Sequence, residues 1–178
     1  RLGDDYLSWN QIQVVWDSGS YDYYGRPVEG KLSNINMTIN ANEWSHIAVT
    51  FGEKTIKVYV NGVEKGSSTT NVPSSVNFGI AHNDEQGTRI TRCFWVGYSY
   101  EHARYFPGMM SELRIWNRVL TADELANATR RYGVDPKSEG LVTYWKCDEG
   151  QGDVIKDHTS YRNDLASDGL KWEPVSLP

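Results

Sequence analysis

From Thr55 to Gly62 the chain reads TIKVYVNG, and Ile56, Val58 and Val60 alternate with Thr55, Lys57 and Tyr59. Successive side chains of an extended strand point to opposite faces, so this alternation predicts a strand with one buried face. Asn61 and Gly62 follow it, two residues suited to the positive φ angles of a two-residue hairpin turn. Similar strand character marks residues 11–16, 31–39, 45–51, 76–80, 93–97, 110–116 and 141–146, with Gly, Asn, Asp, Ser or Pro clusters between most of them. Short strands at this spacing predict an antiparallel all-β sandwich.

Helical spacing is convincing in one place. The Thr121 hydroxyl can cap a helix start while Glu124, three residues on, reaches back as a capping box. The helix is expected to end near Gly133, with Leu125, Ala128 and Tyr132 packing it onto the sandwich. The late strand at 141–146 is expected to close the sheet, since an open edge invites pairing with other chains. Turns follow at Asp148-Glu149-Gly150 and Gly152-Asp153.

Composition narrows the function classes. At 178 residues and 20.2 kDa a single domain spanning 1–178 is expected. With 7 Trp, 11 Tyr and 4 Phe, much of the burial must come from large rings, which serve cores and binding faces alike. A net charge of -5 and a pI near 5.4 argue against nucleic acid or anionic lipid as partner, because both require clustered Lys and Arg. No stretch reaches the roughly 18 apolar residues of a membrane span. The start at Arg1 leads us to expect upstream residues in the natural protein. Cys93 and Cys147 read foremost as two buried thiols, with a single disulfide as the alternative.

Three ordered segments carry a family likeness. They are Trp44-Ser45-His46-Ile47-Ala48-Val49 with Tyr59-Val60-Asn61-Gly62, then Phe106-Pro107-Gly108 through Ser111-Glu112-Leu113-Arg114-Ile115-Trp116-Asn117 with Leu120-Thr121 and Glu124-Leu125, and finally Glu139-Gly140-Leu141 with Tyr144-Trp145-Lys146, Glu149-Gly150, Asp157 and Asn163-Asp164. Together they resemble the laminin G-like domains of the concanavalin A-like lectin/glucanase family, in the form found in bacterial surface proteins of polysaccharide utilisation. The resemblance implies a jelly-roll β-sandwich of two antiparallel sheets with one short helix. It also implies a noncatalytic carbohydrate-binding role, an extracellular, cell-surface or periplasmic location, and a polysaccharide or glycan partner beside an upstream domain or segment of the same protein. Family members carry further strands ahead of the point where this chain begins; if those residues are absent, a gap in the sheet is expected, to be filled by another chain segment or a partner.

The same fold hosts glycoside hydrolases, which need two carboxyl groups flanking the scissile bond. A Glu-x-Asp-x-Glu pattern, which would set acids on one strand face, does not occur. Glu112 stands alone on its expected strand with Arg114 as a same-face ion-pair partner, and Asp148 and Glu149 lie beside turn glycines. His46, His82, His102 and His158 sit in separate segments without a nucleophile motif. Catalysis is therefore the minor reading.

Sugar recognition uses flat aromatic faces flanked by Asn, Asp, Arg and amides. Two loops have that mixture: residues 20–26, with Tyr21, Asp22, Tyr23 and Tyr24, and residues 98–106, with Tyr98, Tyr100, His102, Arg104 and Tyr105. The competing reading has these tyrosines covering the sandwich ends or a lost N-terminal segment. No cofactor is firmly indicated; related domains often hold one structural calcium ion, for which Asp148, Asp153 and Asp157 are the candidates, with Asn163 and Asp164 or Asn83, Asp84 and Glu85 as further oxygen donors. The leading expectation is a noncatalytic carbohydrate-binding module of a larger secreted or surface-anchored bacterial protein. Behind it stand a protein-interaction or adhesion domain and a glycoside hydrolase.

Overall fold

The computed structural model describes residues 2–4, 7–75, 82–83, 89–90, 96–97, 105–128, 131–167 and 169–178. Its strands are β1 (Leu2–Asp4), β2 (Leu7–Ile12), β3 (Val14–Tyr21), β4 (Pro27–Leu32), β5 (Ile47–Gly52), β6 (Thr55–Val60), β7 (Val63–Ser68), β8 (His82–Asn83), β9 (Arg89–Ile90), β10 (Leu113–Trp116), β11 (Leu141–Trp145), β12 (Val154–Ile155) and β13 (Leu165–Ala166). A single short helix among the described residues, α1 (Ala122–Ala126), lies between β10 and β11. Ladders join β1-β2, β3-β4, β5-β6-β7, β8-β9, β10-β11 and β12-β13, all antiparallel. The expected all-β architecture forms.

β6 organises the core. Ile56, Val58 and Val60 all point to one face and are buried there. Val58 and Val60 pack with Ile12 and Met37, while Ile56 packs with Trp16 and Val72. The Trp16 indole donates to the Asn71 carbonyl at 2.9 Å and lies over Gly30, its cross-strand partner, where any β-carbon would collide with the ring. On β5, Ile47 and Val49 stand opposite Val60 and Val58, yet they remain exposed. The hairpin turn forms as read: Asn61 and Gly62 take φ values of 52° and 80° between paired Val60 and Val63. A second two-residue turn, Glu53-Lys54, also has positive φ at both positions, without a glycine to signal it in the sequence.

Several boundaries differ from expectation. The strand expected over 11–16 divides at the buried Gln13, because β2 pairs with β1 and bridges Thr38 whereas β3 pairs with β4. The strand expected over 31–39 breaks after Leu32, where Asn34 draws the chain into a turn by accepting the Asn36 N–H on its side chain and the Met37 N–H on its carbonyl. The helix stops at Ala126 rather than near Gly133, since Asn127 leaves helical geometry; of the expected apolar stripe, Leu125 alone is fully buried. The strand expected from Met110 starts only at Leu113, because Glu112 has φ of 58° and interrupts extension. The expected strand at 76–80 and residues 93–95 of the next lie outside the described residues. The late strand pairs as β11 with β10 in a two-stranded ladder.

Candidate functional site

The β3–β4 hairpin ends in a tip whose geometry is dictated by one carboxylate. Asp22 N–H donates to the Arg26 carbonyl at 2.9 Å, Gly25 N–H donates to the Asp22 carbonyl at 3.0 Å, and Gly25 takes φ of 76°. This is a turn closed by a left-handed glycine, the usual form of a three-residue hairpin loop. Asp22 Oδ1 accepts the N–H groups of Tyr24 and Arg26 at 2.8 and 2.9 Å. Its Oδ2 accepts Arg26 Nε at 2.9 Å and Nη2 at 2.8 Å. The Arg26 backbone N–H holds the Asp22 carboxyl below its ordinary value; desolvation opposes it, and the Arg26 guanidinium and the Tyr24 N–H add to the lowering.

That scaffold turns three tyrosines to solvent. Tyr21, Tyr23 and Tyr24 are 69%, 96% and 77% exposed. Tyr23 and Tyr24 meet edge to face at 5.3 Å, and the Arg26 guanidinium lies 5.2 Å from the Tyr24 ring centre. Of the second aromatic loop, Tyr105 is exposed, whereas Tyr98, Tyr100, His102 and Arg104 lie outside the described residues.

The three candidate metal ligands part company. Asp157 is fully buried: Oδ1 accepts the N–H groups of Tyr144 and Thr159, and Oδ2 accepts the Thr159 hydroxyl and the Asn163 N–H, all at 2.9–3.0 Å. Burial pushes its pKa upward, but these donors outweigh burial and the net shift is downward. With its lone pairs directed at four donors, Asp157 holds the fold and has no oxygen left for a cation. Asp153 is exposed on the rim of a concavity of about 360 Å³ that also includes Glu149 and Lys156. Asp148 instead gathers with Glu149 and His158, their ligand atoms lying within 4.8 Å of one another. Two carboxylates and an imidazole supply part of the six to eight ligands that calcium takes. The further candidates Asp84 and Glu85 lie outside the described residues.

Comparison with known proteins places this geometry in a family. A family model of the laminin G type, described as the concanavalin A-like lectin/glucanases superfamily, matches residues 4–126. The chain belongs to the concanavalin A-like lectin/glucanases superfamily. Among solved structures it is similar to a Bacteroides ovatus protein put forward as carbohydrate-binding, with 25% identity and a TM-score of 0.64 over 97% of this chain and 44% of that one. The concanavalin A-like chain thus spans less than half of that neighbour. An S-layer domain-containing protein from Clostridium thermocellum matches at 23% identity and a TM-score of 0.33, over 64% of this chain and 50% of that one, too low to bear on the fold. No curated protein matches.

Because the superfamily includes glucanases, its carboxylates need a place. Glu112 Oε2 accepts the Tyr144 hydroxyl at 2.6 Å, and the Glu112 carbonyl accepts Arg114 Nε at 3.2 Å. Arg114 also donates to the Arg131 carbonyl at 2.7 Å, and Arg131 in turn donates to the Asn61 carbonyl at 2.8 Å. Asn61 exchanges hydrogen bonds with the His46 backbone, so this polar chain ties the β6–β7 turn to β10 and β11. Burial, then the nearby guanidinium groups of Arg114 and Arg131, lowers the His46 pKa to about 4. Burial and the Glu112 hydrogen bond raise the Tyr144 phenol above its ordinary value. These groups serve the concanavalin A-like framework as cross-links. Asp148 and Glu149 are neighbours on one loop; Glu149 Oε1 accepts the Lys156 N–H at 2.7 Å, and of the two only Glu149 lines the adjoining concavity. Sequence reasoning missed Arg26 as a ring partner and His158 as a neighbour of Asp148. The Asp22-to-Arg26 spacing was the available signal for the first; the second depends on long-range folding.

Proposed function

We propose that the chain is a noncatalytic carbohydrate-binding module of a larger secreted or surface-anchored bacterial protein, with the β3–β4 tip as its contact surface. The observation that carries this reading is the exposure of Tyr23 and Tyr24 on a turn locked by Asp22 and Arg26. A sugar ring presents C–H groups on its faces and hydroxyls at its edge. Rigid phenol rings cover the former, and the tyrosine hydroxyls and Arg26 reach the latter. Pre-ordering of the turn reduces the entropy lost on binding. The Bacteroides ovatus neighbour supports the carbohydrate class, and its greater length supports a place within a longer polypeptide. Tyr98, Tyr100, Arg104 and Tyr105 are assigned to the same binding role as a second contact loop.

A glycan array followed by calorimetry tests the assignment. Replacing Tyr23 and Tyr24 together by Ala should weaken the best glycan at least about fivefold, matching two ring contacts of roughly 0.5–1.5 kcal/mol each. Undiminished glycan binding would remove the tip from the site. Absence of any glycan ligand, with capture of a partner protein that depends on the same tyrosines, would favour the adhesion reading.

A further inference from the structure

Away from the tyrosine tip, a concavity of about 210 Å³ opens where β10 ends and β11 begins. Its polar and aromatic lining is Asn117, Lys137, Ser138, Ser160 and Tyr161. Three chain segments are fixed to make it. Asn117 N–H donates to the Gly140 carbonyl at 2.8 Å, which joins the two strand ends. Asp135 accepts the Lys137 N–H on its side chain at 2.9 Å and the Ser138 N–H on its carbonyl at 2.9 Å, which sets the turn. Thr159 Oγ1, whose hydrogen goes to the buried Asp157, accepts the Tyr161 N–H at 3.3 Å and lies 3.1 Å from the Val142 carbonyl.

The backbone of this cavity is thus committed, while its side chains are not. The Asn117 amide, the Lys137 ammonium and the hydroxyls of Ser138, Ser160 and Tyr161 make no hydrogen bond to any described residue. Tyr161 is 60% exposed. Lys137 is the only charged residue among those lining the cavity; Asp135 and Glu139 flank it in sequence without lining it. The volume lies below the roughly 300 Å³ at which drug-sized sites begin, so the space suits one small ring and not a chain.

We propose that this cavity is a subsite for a single anionic sugar unit, a hexuronate, with its carboxylate at Lys137 and its hydroxyls at Asn117, Ser138, Ser160 and the Tyr161 hydroxyl. The site is separate from the tyrosine tip and rests on the carbohydrate-binding reading for its ligand class. An ammonium without a protein counter-ion is a point charge available to a carboxylate, and uncommitted hydroxyl and amide groups around it are what a polyol ring requires. A chain with net charge of -5 would otherwise repel an acidic glycan, which gives Lys137 its selective weight.

The probes are a trimer of galacturonic acid and the matching neutral galactose trimer, titrated into the full chain with amide chemical shifts as readout. The acidic trimer should shift the Gly140 and Tyr161 amides and bind more tightly than the neutral one, with the preference shrinking as salt rises. Lys137→Met should abolish the preference, and Tyr161→Phe should weaken the acidic trimer by about threefold to tenfold. Equal binding of the two trimers by the unaltered chain, or no shift at Gly140 and Tyr161, would overturn the subsite. If glycan binding instead disappears only with the Tyr23 and Tyr24 substitutions, the subsite fails while the module reading stands. If neither trimer nor any arrayed glycan binds, both fail.

Discussion

The phenol of Tyr144, on β11, donates a 2.6 Å hydrogen bond to the carboxylate of Glu112, the residue just ahead of β10. Tyr144 is fully buried, and the Arg114 guanidinium lies 5.6 Å from its ring centre. The bond therefore fastens the strand pair from the side where Glu112 interrupts the extended backbone. Tyr144→Phe should lower unfolding free energy by about 1.5–3 kcal/mol, the range for a hydrogen bond to a charged group. Urea denaturation measures it. Glu112→Gln keeps an acceptor oxygen and should cost less; an equal or larger loss would show that the charge, not the bond, matters.

Asp157 should be the more costly position. Its removal strands the N–H groups of Tyr144, Thr159 and Asn163 together, while the Thr159 hydroxyl can turn to the Val142 carbonyl. At about 1–3 kcal/mol for each unsatisfied buried group, Asp157→Ala should lose more than about 3 kcal/mol, and Asp157→Asn less. A small loss for the alanine variant, measured by denaturant titration, would mean that water replaces the carboxylate.

Stability should fall with acid through His46. Its folded pKa is lowered to about 4 from the ordinary 6.5, so the unfolded chain binds the extra proton first. The neutral ring's contribution is fully present above 6.5 and is lost progressively as pH falls from about 6.5 to about 4. Asp157, whose pKa is lowered, acts only below the ordinary carboxylate value of 3.8, outside that window. Unfolding midpoints at pH 7, 5.5 and 4.5 should decline, and His46→Gln should flatten the slope over that interval. An unchanged slope in the variant would assign the decline to other groups.

Asp22→Ala should loosen the tyrosine tip without unfolding the chain. The side chain accepts two backbone N–H groups and the Arg26 guanidinium, all within the hairpin loop. Amide exchange at Tyr24 and Arg26 should accelerate while the melting midpoint stays in place. Glycan affinity should fall even though every aromatic ring remains, because order in the loop is lost.

Cys147 is a half-buried free thiol with φ of 60°, so the thiol reading of this residue holds. Burial, aided by Glu149, Glu112 and Asp148, pushes the thiol up to about 11. In a Cys93→Ser background, alkylation at neutral pH should run at least tenfold slower than for free cysteine, because the reactive thiolate is scarce. Rapid labelling would show that the loop opens.

Local physics made part of this protein readable. The alternation of Ile56, Val58 and Val60 and the Asn61-Gly62 turn were visible in eight consecutive residues, since pleat and turn chemistry act between near neighbours. The Thr121–Glu124 capping box was readable for the same reason, and both of its hydrogen bonds form. The tyrosines at 21, 23 and 24 were legible as candidates by composition, but their exposure depends on what packs nearby. Asp157 shows the limit most clearly. A carboxylate in a loop rich in Gly, Asp and Asn reads alike whether it faces a cation or an amide, and the Tyr144 N–H, thirteen residues earlier, decides the matter. The Tyr161 cavity belongs to the same class: it assembles from three segments around residues 117, 137 and 161, brought together when β11 pairs with β10. Periodicity and turn chemistry are short-range and written in order along the chain, whereas burial and hydrogen-bond partnership are settled only when distant segments compete for the same space.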